Sequence, residues 1–233
     1  MHLDLSSISS VTKFVKSFTE SYQKLNLLIC NAGVMMCPYT KTTDGFELQV
    51  GTNNMGHFLL TELLIPLVKS SKGRIVMVSS TAHYRGKFDV NNIFAKESEY
   101  HSRSVYSNSK LYNAMYARHL GNRFGPDGPL AMSLHPGVIK TELGRHLSPT
   151  LLGLIKVFGY LLIKNPWQGA QTTLHCALTD EKDLEQGGYY SDCKLKSPHA
   201  MVQDKEMVEA LAAKSYNLIS LTEAGTNIFK RKE

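Results

Sequence analysis

Apolar positions along this chain alternate between short unbroken runs and longer stretches with helical spacing. Residues 9–23 carry Val11, Phe14, Val15 and Phe18 on one face, which predicts an amphipathic helix. Leu25-Asn26-Leu27-Leu28-Ile29-Cys30 follows as an apolar run and predicts a strand buried on both faces. A helical pattern then covers about 46–70, with Phe58, Leu59, Leu63, Leu64 and Leu67 apolar, and Pro66 inside it predicts a kink or an early end. Arg74-Ile75-Val76-Met77-Val78-Ser79-Ser80 reads as the next strand, and a polar segment leads to a helix over 104–123. A strand over 130–134, helices over 149–163, 167–179 and 204–221, and a short strand near 188–190 complete the pattern. Strands that read as continuous apolar runs between helices predict an α/β fold, a Rossmann-type doubly wound parallel sheet. There is no internal repeat or linker, so the simplest organisation is one domain over 1–233.

Composition narrows the class. With 42% hydrophobic and 20% charged residues, disordered and fibrous classes drop out. The formal net charge of +6 favours anionic partners: a phosphorylated cofactor, a membrane surface or nucleic acid. No block of five or more basic residues appears before the terminal Lys230, Arg231 and Lys232, so nucleic acid is not expected. Cys30, Cys37, Cys176 and Cys193 show neither C-x-x-C pairing nor metal-ligand spacing with histidine; they read as reduced thiols, and no metal is expected. Residues 1–10 are polar and resemble neither a signal peptide nor an anchor. The apolar stretch 151–163 is interrupted by Lys156 and is too short to span a bilayer.

In a sheet of this kind ligands bind outside the carboxyl ends of the strands. Those ends are Asn31-Ala32-Gly33, Ser79-Ser80 and Pro136-Gly137. The helix over 104–123 supplies Tyr106 and Lys110, four residues apart and therefore on one face. A phenol is a poor base near neutrality, but an ammonium beside it favours the phenolate and lowers its pKa. Tyr106 is then a candidate acid/base for the hydroxyl proton of an alcohol, with hydride moving to or from a nicotinamide. Ser80 is a candidate donor to the substrate oxygen. Tyr-x-x-x-Lys alone is weak; the ordered set of Asn-Ala-Gly, an Asn-rich helix, Val-Ser-Ser, Tyr-x-x-x-Lys and Pro-Gly is much stronger.

That set resembles the short-chain dehydrogenase/reductases. The resemblance implies that Asn31-Ala32-Gly33 supports the cofactor side of the sheet and that Asn53, in Asn53-Asn54-Met55-Gly56-His57-Phe58, helps hold a water in a proton relay with the lysine. It makes Ser80 the substrate-oxygen donor, Tyr106 the acid/base and Lys110 the residue that binds the nicotinamide ribose. Pro136, Gly137, Ile139 and Thr141 would clasp the nicotinamide carboxamide. Gly56-His57-Phe58-Leu59-Leu60-Thr61, Val78-Ser79-Ser80-Thr81-Ala82-His83 and the long Ser80-to-Tyr106 interval are similar to the retinol dehydrogenase-like branch. The branch implies a lipophilic, retinol-like alcohol or aldehyde and NADP ahead of NAD. The apolar pattern over 149–163 fits a buried core helix equally well, whereas the branch makes it part of a substrate lid whose apolar surface would suit peripheral contact with a membrane. The branch also implies a cytoplasm-facing place on endoplasmic reticulum or mitochondrial membrane for the full-length form. The family's glycine-rich phosphate loop does not occur in the 233 residues. The segment from His2 resembles the strand end that follows the first βαβ unit, where Asp4 would contact adenine. An N-terminally truncated sheet is therefore expected, either part of a longer enzyme or a short non-catalytic product that acts by binding.

Overall fold

The computed structural model describes residues 1–139, 142–145, 163–222 and 224. Helix α1 (Ile8–Ser21) opens on Ser7, whose Oγ accepts from the Ser10 amide at 3.3 Å and caps the first turn. Strand β1 (Leu27–Cys30) follows. A short helix α2 (Leu48–Val50) runs through a π-helical turn (Gly51–Met55) into α3 (Gly56–Ser70). α3 continues past Pro66, so the predicted early end does not occur. Pro66 lies on the exposed side, while Leu64, Ile65 and Val68 are buried and hold the last turns by packing. Then come β2 (Arg74–Val78), α4 (Ser102–Phe124), β3 (Leu130–His135), β4 (Val138–Ile139), β5 (Ile163–Lys164), α5 (Pro166–Leu178), β6 (Tyr189–Ser191), β7 (Lys194–Lys196), α6 (Ala200–Gln203) and α7 (Lys205–Ser220).

The main sheet has the order β1-β2-β3-β6-β7. Its first four strands are parallel, as predicted, and β7 is antiparallel. β7 was not legible in the sequence: its two-residue turn, Asp192-Cys193, takes φ of 51° and 56° without a glycine. Lys194 and Lys196 line that exposed edge and discourage further strand pairing. β4 and β5 form a separate pair in which Ile163 is opposite Val138, so Ile163 is a strand residue and not the end of a helix. The rest of the predicted helix over 149–163, together with Thr141 and the basic tail Lys230 to Lys232, lies outside the described residues.

Alternate residues of each strand face different helices. Ile75, Met77 and Ala131 join a core with residues of α1, α3, α4 and α7, while Val76, Val78, Met132 and Leu134 pack with Cys176 of α5. Each fully buried Leu, Met or Phe contributes about 1.5–3 kcal/mol of gross hydrophobic stabilisation, so the first, larger core dominates. β1 departs from expectation: Cys30 is buried, but Ile29, on the α5 side, is 38% exposed. The reason is position. β1 is at the sheet edge, and α5 packs over β2 and β3. The polar segment before α4 is also more than surface. Phe94 stacks on Phe46 at 4.8 Å, and the Tyr100 hydroxyl donates to the Cys37 carbonyl at 2.8 Å.

Candidate active site

Because β1, β2 and β3 are parallel, Asn31, Ser79 and Pro136 all fall at one edge of the sheet. The π turn before α3 breaks the regular helical spacing and aims Asn53 between two elements. Its Oδ1 accepts from the Val34 amide at 2.8 Å, and its Nδ2 donates to the Val34 carbonyl at 2.8 Å and to Ser109 Oγ at 3.0 Å. Asn53 thus ties the loop after Gly33 to α4. Gly33 is pressed against the same point: a Cβ there would come within 2.7 Å of Asn53 Oδ1 and 3.7 Å of Lys110 Nζ.

Lys110 is 4% exposed. Its Nζ donates to the Val78 carbonyl at 3.1 Å, and its own carbonyl accepts from Ser79 Oγ at 2.6 Å. Burial pushes its pKa down to about 8. Tyr106 is hydrogen-bonded to Ser80, and its ring centroid is 5.8 Å from Lys110 Nζ. Burial pushes the phenol up to about 12, with the Ser80 bond acting the other way. This differs from the expectation that the ammonium lowers the pKa of Tyr106. The ammonium is turned toward Val78, and desolvation of the phenolate outweighs the opposing hydrogen bond with Ser80. The protonated phenol is the resting form.

Gly33, Asn53, Ser80, Tyr106 and Lys110 are therefore brought together. Asn31 and Ala32 share the loop; the Ala32 carbonyl accepts from His57 Nε2 at 2.8 Å. Pro136, Gly137 and Ile139 follow β3 at the same sheet edge. Gly137 has φ of 103°, and a Cβ on it would meet Lys164, while the side chain of Ile139 packs on Gly169. Asp4 precedes α1: its exposed carboxylate accepts from the Ser6 amide at 2.9 Å and from Ser6 Oγ at 2.7 Å, closing a turn before the helix. Sequence reasoning missed Ser109, Asn54 and Asn113. Asn113 Nδ2 donates to the Val78 carbonyl at 3.2 Å, and its Oδ1 accepts from Asn54 Nδ2 at 3.1 Å. Its helical offset from Lys110, one turn further on, was the available signal.

The sequence profile of short chain dehydrogenases matches residues 1–151. Human retinol dehydrogenase 11 is 41% identical over 220 residues, covering 94% of this chain and 68% of that protein. Human retinol dehydrogenase 13 is 38% identical over 228 residues, with the same two shares, 94% and 68%. Among solved structures, an uncharacterized protein from Mycobacterium paratuberculosis matches with a TM-score of 0.73 at 30% identity, over 94% of this chain and 74% of that one. The NADPH-bound carbonyl reductase from chicken fatty liver shares the fold, with a TM-score of 0.59 at 23% identity over 84% of this chain and 75% of that one. The chain belongs to the short-chain dehydrogenase/reductase family, in its retinol dehydrogenase branch. Its fold is Rossmann-like, and its family is one of oxidoreductases.

Proposed function

We propose that this chain interconverts a lipophilic alcohol and its carbonyl compound, of the retinol and retinal kind, with NADP as hydride carrier. The observation that carries the reading is the Tyr106 hydroxyl bonded to Ser80, with buried Lys110 one helical turn away, at the carboxyl edge of a parallel sheet. The substrate class follows the 41% identity to human retinol dehydrogenase 11. NADP ahead of NAD follows the resemblance to the retinol dehydrogenase branch, with the net charge of +6 as the weaker argument.

In the reductive direction the carbonyl oxygen is held between Tyr106 Oη and Ser80 Oγ. Tyr106, kept protonated by burial, gives its proton to that oxygen as negative charge develops there. Ser80 donates a hydrogen bond to the same atom. The Lys110 ammonium then stabilises the tyrosinate that remains. Asn53 keeps the Gly33 loop and α4 in register throughout. A nicotinamide, when bound, supplies or accepts the hydride. The residues fit such a group: Lys110 commits one of its three ammonium hydrogens to Val78 and keeps donors for ribose hydroxyls. Asn31, Ala32, Gly33, Pro136, Gly137 and Ile139 would add to the hold on the nicotinamide side, whereas the glycine-rich loop that grips the pyrophosphate does not occur in these 233 residues.

The test is cofactor titration and turnover of a retinal-like aldehyde by the purified chain, shown folded by circular dichroism. Binding of NADPH and turnover that Tyr106→Phe abolishes, with the fold intact, are the expected results. A folded chain that binds neither NADPH nor NADH at millimolar levels, or a Tyr106→Phe variant with undiminished turnover, would overturn the reading.

A further inference from the structure

Ser80 is tied to a distant part of the chain. The 3-10 turn that follows it (Thr81–Arg85) carries His83, which is 0% exposed. His83 Nδ1 lies 2.7 Å from the Ser80 carbonyl oxygen. A carbonyl only accepts, so Nδ1 carries the hydrogen and Nε2 a lone pair. That lone pair accepts from the backbone N–H of His199, 116 positions further along, at 3.1 Å. Burial keeps the ring neutral, pushing its pKa down to about 4 against the opposing bond to the Ser80 carbonyl. Two neighbours reinforce the join: the Tyr84 hydroxyl donates to the Ser197 carbonyl at 2.6 Å, and the His83 ring packs on Tyr189 at 4.6 Å between centroids. Ser80 in turn depends on this turn, since its Oγ accepts from the Ala82 amide at 3.1 Å and its carbonyl accepts from the His83 amide at 3.0 Å.

We propose that His83 is a positioning residue through which the segment 197–199 holds Ser80 in place beside Tyr106. The proposal rests on the reading of Ser80 as the donor to the substrate oxygen. A histidine that only filled the core would act on overall stability. One that positions Ser80 must lose its effect on turnover when the Ser80 hydroxyl is gone.

A double-mutant cycle therefore decides it. His83→Ala is expected to lower kcat about tenfold, the effect of losing one to two hydrogen bonds, with the KM for cofactor unchanged. In a Ser80→Ala background the same change is expected to lower the residual kcat less than about twofold; losses that multiply independently overturn the proposal. A second pair isolates the far end of the join. His199 has φ of −54°, which proline adopts, so His199→Pro differs from His199→Ala chiefly in lacking the amide hydrogen. Both variants lose the side-chain cap on the Met201 amide at 3.1 Å. The proline variant should have the lower kcat, and equal values count against the proposal. A wild-type chain without turnover would count against the functional reading alone. The join is then read by hydrogen exchange at the His83 amide, expected to quicken about tenfold in His199→Pro but not in His199→Ala. Equal exchange in the two variants overturns it.

Discussion

Replacing Lys110 with methionine should make the chain more stable and less active, and the size of the gain follows from the lysine's burial. Lys110 is 4% exposed, and its pKa falls from 10.5 to about 8. Between those two values the unfolded chain holds the proton more tightly than the folded one, so stability rises with pH there. Below pH 8 the whole penalty is in force, about 3 kcal/mol from the shift at about 1.4 kcal/mol per pKa unit. Methionine fills a similar volume without charge. It loses the bond to the Val78 carbonyl, worth about 1 kcal/mol, although that carbonyl keeps Asn113 Nδ2 at 3.2 Å. The net expectation is a variant more stable by about 2 kcal/mol at pH 7. Above pH 8 the advantage shrinks by about 1.4 kcal/mol per pH unit and is gone near pH 9.5. Urea unfolding of both proteins by circular dichroism, from pH 6 to 9.5, measures it directly. A methionine variant no more stable than wild type at pH 7, or a gain that does not fall above pH 8, refutes the reasoning.

Other substitutions probe the supports of the site. Asn53→Ala removes bonds at 2.8, 2.8 and 3.0 Å and should destabilise the fold by about 2–3 kcal/mol in urea unfolding; a change below about 0.5 kcal/mol would show that the loop after Gly33 does not depend on it. Arg123 Nη1 donates to both oxygens of fully buried Glu62 at 3.0 Å, and Tyr116 donates to one of them at 2.9 Å. Arg123→Ala should cost about 3 kcal/mol and lower Tm, while the pair Glu62→Leu with Arg123→Met should recover most of the loss; a double variant no better than the single one contradicts the account. Carbonyl reduction should decline as pH rises through about 8, where Lys110 loses its proton, and Lys110→Arg should hold its rate to higher pH. A wild-type profile flat to pH 10 speaks against a role for the ammonium.

Much of this was legible because it is local. β2 reads as an unbroken apolar run and β3 as one interrupted only by Ser133 before its terminal His135, and both faces of each are covered. Tyr106 and Lys110 read as a pair because four residues make one helical turn. What escaped the sequence depends on neighbours far along the chain. Ile29 looks like any buried strand residue, and only the sheet order makes it an edge residue. The Asp192-Cys193 turn carries no glycine to announce a hairpin. The resting pKa of Tyr106 went the other way for a related reason: spacing reports that two groups are near, whereas desolvation depends on everything packed around them.

The polar side chains around the site share one habit, which explains why so many of them lie beside motif residues rather than within them. Most of them bond to backbone. Lys110 and Asn113 meet on the Val78 carbonyl, His57 donates to Ala32, Asn53 brackets Val34, Ser79 donates to the Lys110 carbonyl, and His83 donates to Ser80. Where parallel strands end, the ladder stops and carbonyls are left without strand partners inside a nearly dry interior. Side chains from α3, α4 and the turn after β2 satisfy them, and each such bond also fixes the main chain that carries a reacting group. A pair such as Tyr106 and Lys110 is therefore held by the path of the backbone. Asn113 and His57 consequently carry positional information that a five-residue motif cannot hold, and a search for the site by motif alone finds the chemistry but not its scaffold.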